Sequence, residues 1–575
     1  MIFGLFWLFW GNLAVLLAAR VLLSYVRTGQ DHLEATLFIL LRLAIISGVI
    51  LVSGLVGTLN PSVLGPMSLT AVIALLCSSK LRARVTKRIR LPAIGAPLWI
   101  VAGLITARLI GQVWMFPPHL GDATNYYLPK IAEWVRAGQF TREMGAHPHV
   151  TFPAGFELVE TWWVVFIHHD VLIEMAGVEF LLLGVTATAA LARSLGLQER
   201  SAFVAAILYG LTPGLNLAAT SCTNDLPAAS IIVTAFAFVL GRLPLGWTIF
   251  ALGVGIGIKP TVGYGMPGIV LLSWLLRKEE APREYPRSCV SIAAAVGIVL
   301  GSFWYIRNMV WFGNPFYPVC SRDRALFPPP QFGPRAASLL GNVRDLVDSR
   351  IWDPHAYGAL VDDSAGWGPV GIGCGLLALL LWALEAPPAR AVAVSFLLSL
   401  CSILFLSIHD PWSMKYVFFF PAILSVAVAR EMERSTAMVP LVVAGTLISF
   451  LTTMSPYDLP RVELARLEEQ SWRERSVLDS HTLISLEPSV ALFGGIQERA
   501  YLLYGPDFSR RVIYCRPKNL KELVVGMQKE GVSLLLAQPA TEEQAHLLEE
   551  AIEQGELVVL NGSFYSLVHR ATARP

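Results

Sequence analysis

The chain has 575 residues, 54% of them hydrophobic and 15% charged, with a mean hydropathy of +0.57. These proportions exclude a soluble protein of this length, which would split into several cores and show polar helix faces. The net charge of +2 is uninformative as a total; the one basic block sits between two apolar spans, where topology accounts for it and nucleic acid is not expected as a partner. Seven cysteines without a C-x-x-C spacing argue against a disulfide framework or a zinc site.

The first apolar run, Ile2 to Val26, lacks a basic leader and a small-residue cleavage pattern, so it reads as a retained first span. Leu37 to Thr58 and Val63 to Cys77 follow, and none of the three runs offers a polar constellation. Lys80, Arg82, Arg84, Lys87, Arg88 and Arg90 then form a basic block without an acidic residue, which the positive-inside rule places in the cytoplasm. Residues 1–93 are thus an N-terminal addition of spans closed by a cytoplasmic loop.

The run Ala96 to Phe116 therefore leads outward. Where it stops lies the segment Gly121-Asp122-Ala123-Thr124-Asn125-Tyr126-Tyr127-Leu128-Pro129-Lys130, followed by Trp134 and Gly138. A carboxylate and paired aromatics at the mouth of a span point to chemistry at a lipid surface. The apolar stretch Phe152 to Ile167 is read as interfacial or partly embedded, because a full crossing there would reverse every later assignment.

Further spans are expected near Val171 to Leu195, Ala202 to Leu217, Leu226 to Leu240, Trp247 to Ile258, Val262 to Leu276 and Ser291 to Ile306. After a long outer loop from Arg307 to about Gly366 come Pro369 to Leu384, Val392 to Ile408, Tyr416 to Ala429 and Met438 to Met454. The count is about fourteen spans, with both termini outside. Residues 94–454 form the core, with outer loops 117–170 and 307–366.

From Ser455 the composition turns charged and periodic, and residues 455–575 read as a small extracytoplasmic α/β domain. Short apolar runs at Val490-Phe493, Val512-Tyr514, Val532-Ala537, Leu557-Leu560 and Phe564-Val568 alternate with helical stretches near Leu520-Lys529 and Glu542-Glu553. Gly494-Gly495 belongs to no phosphate-loop pattern and reads as an ordinary strand-to-helix turn.

Chemistry is expected where polar groups recur on the outer side. Asp225, in Thr223-Asn224-Asp225-Leu226-Pro227, emerges there by parity and is also a good helix start. Lys259, Arg307 and Lys415 stand at membrane depth, where an unpaired charge is costly and an ionisable residue points to function; snorkelling to the interface is the bland alternative for each. Three cations beside two carboxylates suit a lipid phosphate held by Lys or Arg and a hydroxyl deprotonated by Asp. Glu143 with His147 and His149, and His168-His169-Asp170, contain metal-ligating types without a complete local set. Asp362-Asp363 and His409-Asp410 read as solvated outer loops.

The order Asp122, Tyr126-Tyr127-Leu128-Pro129 and Trp134, Phe152-Pro153 with Glu157-Leu158, Asn224-Asp225, the Gly-rich run ending in Lys259, Arg307-Asn308 and Gly313-Asn314-Pro315-Phe316-Tyr317-Pro318 resembles integral-membrane glycosyltransferases of the GT-C superfamily. It is most similar to their bacterial branch related to protein O-mannosyltransferases and the lipid A aminoarabinose transferase. Gly366-Trp367-Gly368-Pro369 and Lys415-Tyr416 with Pro421 extend the likeness over roughly Ile94 to Met454.

The resemblance implies an inner-membrane enzyme that moves a sugar from a polyprenyl-phosphate donor to a glycolipid, polysaccharide or protein acceptor outside the cytoplasm. It gives Asp122 the position of the general base. Asp225, with Tyr126 and Tyr127, would orient acceptor or sugar or help hold a divalent cation, the one cofactor it leaves open, and Lys259, Arg307 and Lys415 would neutralise the donor phosphate. Ala123 replaces a second acidic residue of several relatives, Tyr127 a common His, and Lys415-Tyr416 the more usual Arg-Tyr. A polysaccharide polymerase or ligase and a non-enzymatic lipid or solute transporter are the alternatives; the second should show repeats and mid-membrane charges.

Overall fold

The computed structural model describes residues 2–26, 28, 30–85, 95–115, 118, 122–142, 148–276, 286–318, 340–342, 366–407, 413–452, 488–494, 500–505, 507–515, 519–538, 541–561 and 564–567. Glu143, His147, Asp362, Asp363, His409 and Asp410 lie outside these residues. The chain begins with α1 (Ile2–Leu23), α2 (Asp31–Val56), α3 (Pro61–Cys77), the short α4 (Ser79–Val85) and α5 (Ala96–Met115). After a π turn at Ala123–Tyr127 come α6 (Leu128–Ala137), α7 (Gly155–Val165), α8 (Met175–Ser194), α9 (Glu199–Gly210), α10 (Pro213–Ala218) and α11 (Asp225–Leu240). The bundle continues with α12 (Leu245–Ile258), α13 (Thr261–Tyr264), α14 (Met266–Leu275), α15 (Arg287–Phe312), a second π turn at Val370–Gly375, α16 (Leu376–Glu385), α17 (Pro387–Leu406), α18 (Pro421–Arg434) and α19 (Met438–Thr452).

Among the described residues six helical segments are long and apolar enough to cross a membrane: Ile2–Leu23, Asp31–Val56, Ala96–Trp114, Asp170–Ser194, Arg287–Phe312 and Pro387–Leu406. Shorter apolar helices stand at Pro61–Cys77, Asp225–Leu240, Leu245–Ile258, Met266–Leu275, Val370–Glu385 and Met438–Ile448, while the expected run Ala202 to Leu217 is divided between α9 and α10. The stretch from Phe152 to Ile167 contains the eleven residues of α7, about 16 Å of helix. Some boundaries differ from the sequence reading. The helix expected to end at Ile306 runs on to Phe312, because only Gly313, at φ 68°, supplies the left-handed residue that ends it; Arg307 and Asn308 therefore lie within α15. The span expected from Val262 divides at Gly265 into α13 and α14, since Pro267 falls in the first turn of a new helix.

Glycines set the tightest crossing. A Cβ on Gly253 would lie 2.2 Å from the carbonyl oxygen of Gly297, and one on Gly301 2.7 Å from that of Gly253, so α12 and α15 pack backbone to backbone. Gly155 likewise brings α7 against Gly257, where a Cβ would stand 2.7 Å from the carbonyl oxygen.

The three N-terminal helices are not the inert addition their apolar runs suggested. Arg42, midway along α2, pairs with Glu179 of α8 at 2.7 Å and donates to Asn12 of α1 at 2.6 Å. The expected absence of a polar constellation there is thus corrected: a lone charge inside an apolar run is costly unless paired, and its partner comes from a distant helix.

The ends of the helices sort into two sets. At one end Arg84 donates to Ser24, Arg242 to the Leu276 carbonyl, and Arg430 and Arg434 to Glu385, while the Gln198 amide donates to Glu433. At the other end lie Asp122, Thr151, Asp225, Lys259, Arg307 and Lys415, linked by contacts described below.

The C-terminal region is an α/β domain with β1 (Ser489–Gly494), β2 (Arg511–Cys515), α20 (Leu520–Glu530), β3 (Leu534–Gln538), α21 (Glu542–Glu553), β4 (Leu557–Asn561) and β5 (Phe564–Leu567). The sheet order is β2-β1-β3-β5-β4, with β1 parallel to both β2 and β3 and a terminal antiparallel hairpin. Asn519 and Thr541 cap α20 and α21 through their side chains. Both helices cover one sheet face, where Leu523, Met527, Leu548 and Ala551 meet Ala491, Phe493 and Leu535. Val490, Leu492, Leu534 and Leu536 on the opposite face join Ala500, Tyr501, Leu503 and Tyr504 and the membrane-domain residues Ala123, Leu128, Ile131 and Ala132. The domain is therefore seated on the end of the bundle that carries Asp122.

Candidate functional site

Asp122 immediately precedes the π turn Ala123–Tyr127, an over-wide turn of a kind that concentrates at functional sites. Pro129 is tolerated because it falls in the first turn of α6, and Gly138, at φ 66°, ends that helix. The Asp122 carboxylate accepts from Lys415 Nζ at 3.2 Å, and the Tyr126 hydroxyl is its second hydrogen-bond partner. Lys415 comes from the 3-10 turn Ser413–Val417 that precedes α18, so the expected helical run from Tyr416 begins as a tighter turn and becomes α-helical at Pro421.

Asp225 is the first residue of α11, where the unpaired amides and helix dipole favour a carboxylate. Its Oδ1 lies 2.5 Å from Lys259 Nζ, and Lys259 is the residue at which α12 ends. Asn224 ties the same junction by donating to the Ile258 carbonyl at 3.3 Å. The Lys259 ammonium also lies 4.6 Å from the centroid of the Tyr416 ring, a cation–π contact that brings the turn bearing Lys415 beside the second pair. Each carboxylate is thus matched by one lysine, and the Lys259 charge is felt at both Asp122 and Lys415.

Electrostatics single out Asp122, whose side chain is 39% exposed. Burial pushes its carboxyl up, but the Lys415 ammonium, the Tyr126 hydroxyl and Lys259 together outweigh that and hold it below the usual carboxylate range.

Tyr126 and Tyr127 are buried with ring centroids 4.3 Å apart, and His149 packs edge-on to Tyr126 at 5.2 Å. Sequence reading gave no role to Lys130, which forms a wholly buried pair with Glu157 at 2.5 Å, both side chains 0% exposed. This pair bolts α6 to α7 and leaves the Lys130 ammonium 5.5 Å from the Tyr127 ring centroid. The signal for it was present in part: a Lys in α6 and glutamates in the mostly apolar α7 need partners once buried, although Glu160, also fully buried, left the choice of glutamate open.

Arg307 is placed differently. Its guanidinium packs against Trp304 and Trp311, with centroids at 4.7 and 5.3 Å, and donates to the Thr151 carbonyl and to Asn308 Oδ1. Among the described residues it has no ion pair, and its Nη1 makes no hydrogen bond. The structure joins Asp122 to Lys415 and Tyr126, and Asp225 to Lys259, and the Tyr416 ring under Lys259 brings the two sets together; Arg307 is fastened instead to the loop before α7.

Among the described residues no group of three His, Cys, Asp or Glu side chains could close on a metal ion. His149 stacks on Phe152, His169 caps the Val171 amide, and Asp170 accepts from Tyr501. Asp122 and Asp225 each already hold an ammonium, so the residues present fit an anion between two lysines better than a divalent cation.

No family model and no curated protein sequence matches the chain. Comparison of folds does find likeness. The apo crystal structure of ArnT from Cupriavidus metallidurans, a lipid A aminoarabinose transferase, superposes with a TM-score of 0.53 over 82% of this chain and 98% of its own, at 14% identity. Two structures of the Archaeoglobus fulgidus oligosaccharyltransferase align more loosely. One, in complex with Zn and sulfate, has a TM-score of 0.35 at 11% identity over 87% of this chain and 67% of its own. The other, in complex with an inhibitory peptide and a dolichol-phosphate, has 0.32 at 10% identity over 94% and 75%. The chain has the ArnT-like GT-C fold, a helical membrane domain followed by a small sheet domain.

Proposed function

We propose that this protein is a membrane glycosyltransferase that moves a sugar from a polyprenyl-phosphate donor to a hydroxyl of an extracytoplasmic acceptor. The observation that carries this reading is the double pair Asp122–Lys415 and Asp225–Lys259 at one end of a membrane bundle of ArnT-like fold. Arg84, Arg430 and Arg434 lie at the opposite end, so the positive-inside rule supports an extracytoplasmic site in the plasma membrane. Both charged pairs of the site gather at that end.

Asp122 acts as the general base. The acceptor hydroxyl oxygen attacks the anomeric carbon, its proton passes to the Asp122 carboxylate, and the bond from that carbon to the phosphate oxygen breaks. Polyprenyl phosphate leaves with the bonding electron pair. Lys259 and Lys415 stabilise the charge developing on the phosphate from a site of restricted solvent access, where such stabilisation is strongest. Lys415 lies against Asp122; the donor phosphate takes up Lys415 in its place, and the carboxylate turns to the acceptor hydroxyl. Asp225 keeps Lys259 oriented and, with Tyr126, lines the sugar side. Arg307 holds the loop at Thr151. No step is routed through a metal.

The test is purified protein in proteoliposomes with labelled polyprenyl-phosphate sugars and candidate acceptors, with mass spectrometry of co-purified lipid to choose the donor. Asp122→Asn should abolish turnover while donor binding persists. Undiminished transfer by that variant would remove Asp122 from the base role, and the absence of any polyprenyl-phosphate sugar binding would overturn the function.

A further inference from the structure

The C-terminal domain packs against the Asp122 segment, and the buried cluster it joins extends to the segment that bears Asp225. Ala123, next to Asp122, and Cys222, three residues before Asp225, share one buried cluster with Tyr501, Leu503, Tyr504 and Leu534. Two hydrogen bonds from one 3-10 turn, Ala500–Tyr504, cross this interface. The Tyr501 hydroxyl donates to Asp170 Oδ2 at 2.7 Å, and the Tyr504 hydroxyl to Glu133 Oε1 at 2.8 Å. Both tyrosines are at most 1% exposed, and Glu133 and Asp170 are 5% and 2% exposed. Hydrogen bonds from neutral donors to buried carboxylates are stronger than ordinary ones and directional.

Their placement matters more than their strength. Glu133 lies on α6, which continues directly from the π turn behind Asp122, and Asp170 opens the short turn before α8. At Ala123 the π turn packs into a buried cluster in which the tyrosine-bearing turn of the C-terminal domain takes part beside residues of the membrane domain. A catalytic carboxylate displaced by about 1 Å can lose on the order of a hundredfold in rate.

We propose that the C-terminal domain is a positioning element of the transfer site, and that Tyr501 and Tyr504 form a two-point clamp that sets the Asp122 turn against Lys415. This rests on the transferase reading for its kinetic part only. The tyrosines touch no reacting atom; they act through Ala123 and α6.

The experiment compares full-length wild type, Tyr501→Phe, Tyr504→Phe and the double variant in proteoliposomes. Hydrogen exchange of residues 122–137 should accelerate in the double variant while the melting temperature of the membrane domain stays within a few degrees. The value of kcat should fall roughly ten- to hundredfold with donor KM within about twofold, and the acid limb of the pH profile should move upward as Asp122 drifts from Lys415. Glu133→Gln, which keeps an acceptor for Tyr504, should retain more protection than Glu133→Leu; this pair decides the matter should the double variant fail to fold. Arg511→Ala, which breaks only the exposed pair with Glu530, is the control and should change neither readout. Unchanged exchange over 122–137 in the double variant overturns the clamp. A wild type without transfer overturns the function and leaves the exchange test standing.

Discussion

The Lys130–Glu157 pair allows a quantitative test of how the site is held. Both side chains are 0% exposed, and the nitrogen and oxygen lie 2.5 Å apart. Glu157 Oε2 has no hydrogen-bond partner among the described residues. Removing Lys130 alone leaves a carboxylate in a low-dielectric site, which costs about 3–5 kcal/mol; removing Glu157 alone strands an ammonium at similar cost. Replacing both by apolar residues, as in Lys130→Met/Glu157→Leu, removes both desolvation penalties and is expected to lie within about 1–2 kcal/mol of wild type. The double variant should therefore be several kcal/mol more stable than the sum of the singles, measured by denaturation of the detergent-solubilised protein as a complete mutant cycle. Two single variants each costing under about 1 kcal/mol, or a double variant as costly as their sum, would refute the charged-pair description. The same variants separate packing from chemistry: the double variant keeps α6 on α7 but takes the ammonium from beneath the Tyr127 ring.

Asp122→Asn should lower turnover by about 10²–10⁴-fold, the range of a lost general base, in a transfer assay at saturating donor. Because Lys415 holds the Asp122 carboxyl below the usual carboxylate range, the base form is present at neutral pH and kcat/KM should fall only in strong acid. Any stability from that pair is likewise present above the unfolded-state value and lost as pH falls through the folded one. Lys415→Met removes the largest lowering influence, so the acid limb should move to higher pH and donor affinity should fall; a profile identical to wild type would refute the pairing. Gly253→Val should prevent α12 and α15 from closing, because its first side-chain carbon would already stand 2.2 Å from the Gly297 carbonyl oxygen; loss of the monodisperse peak in size-exclusion chromatography is the readout.

Hydropathy and charge made the helical membrane domain legible, because a bilayer demands the same apolar lengths and the same basic asymmetry from any chain. The tail strands were legible for a different reason: short apolar runs alternating with amphipathic helices have few other solutions. Boundaries were less so. The extension of α15 to Phe312 depends on Gly313 adopting the left-handed cap and not on hydropathy, which drops at Arg307. Hydropathy marks where a chain leaves lipid, whereas a helix ends where its backbone is capped, and at a membrane surface the two diverge.

The site divides along the same line. Asp122, Asp225, Lys259 and Lys415 were visible one by one as charges beside apolar runs, and the contacts Lys415–Asp122 and Lys259–Asp225 span 293 and 34 residues. Pairing at such separations leaves no periodic trace, so which lysine meets which aspartate is knowledge of the fold. Arg307 shows the converse. As a charge at membrane depth it was indistinguishable from Lys259, yet its neighbours Trp304, Asn308 and Trp311 turn it toward Thr151. A planar guanidinium is held by stacking and several donors at once, while an ammonium on a flexible stem follows the nearest anion. On the proposed mechanism the two lysines are the groups that exchange a carboxylate for a phosphate, and the arginine, held by Trp304, Trp311 and the Thr151 carbonyl, keeps the wall of the site in place.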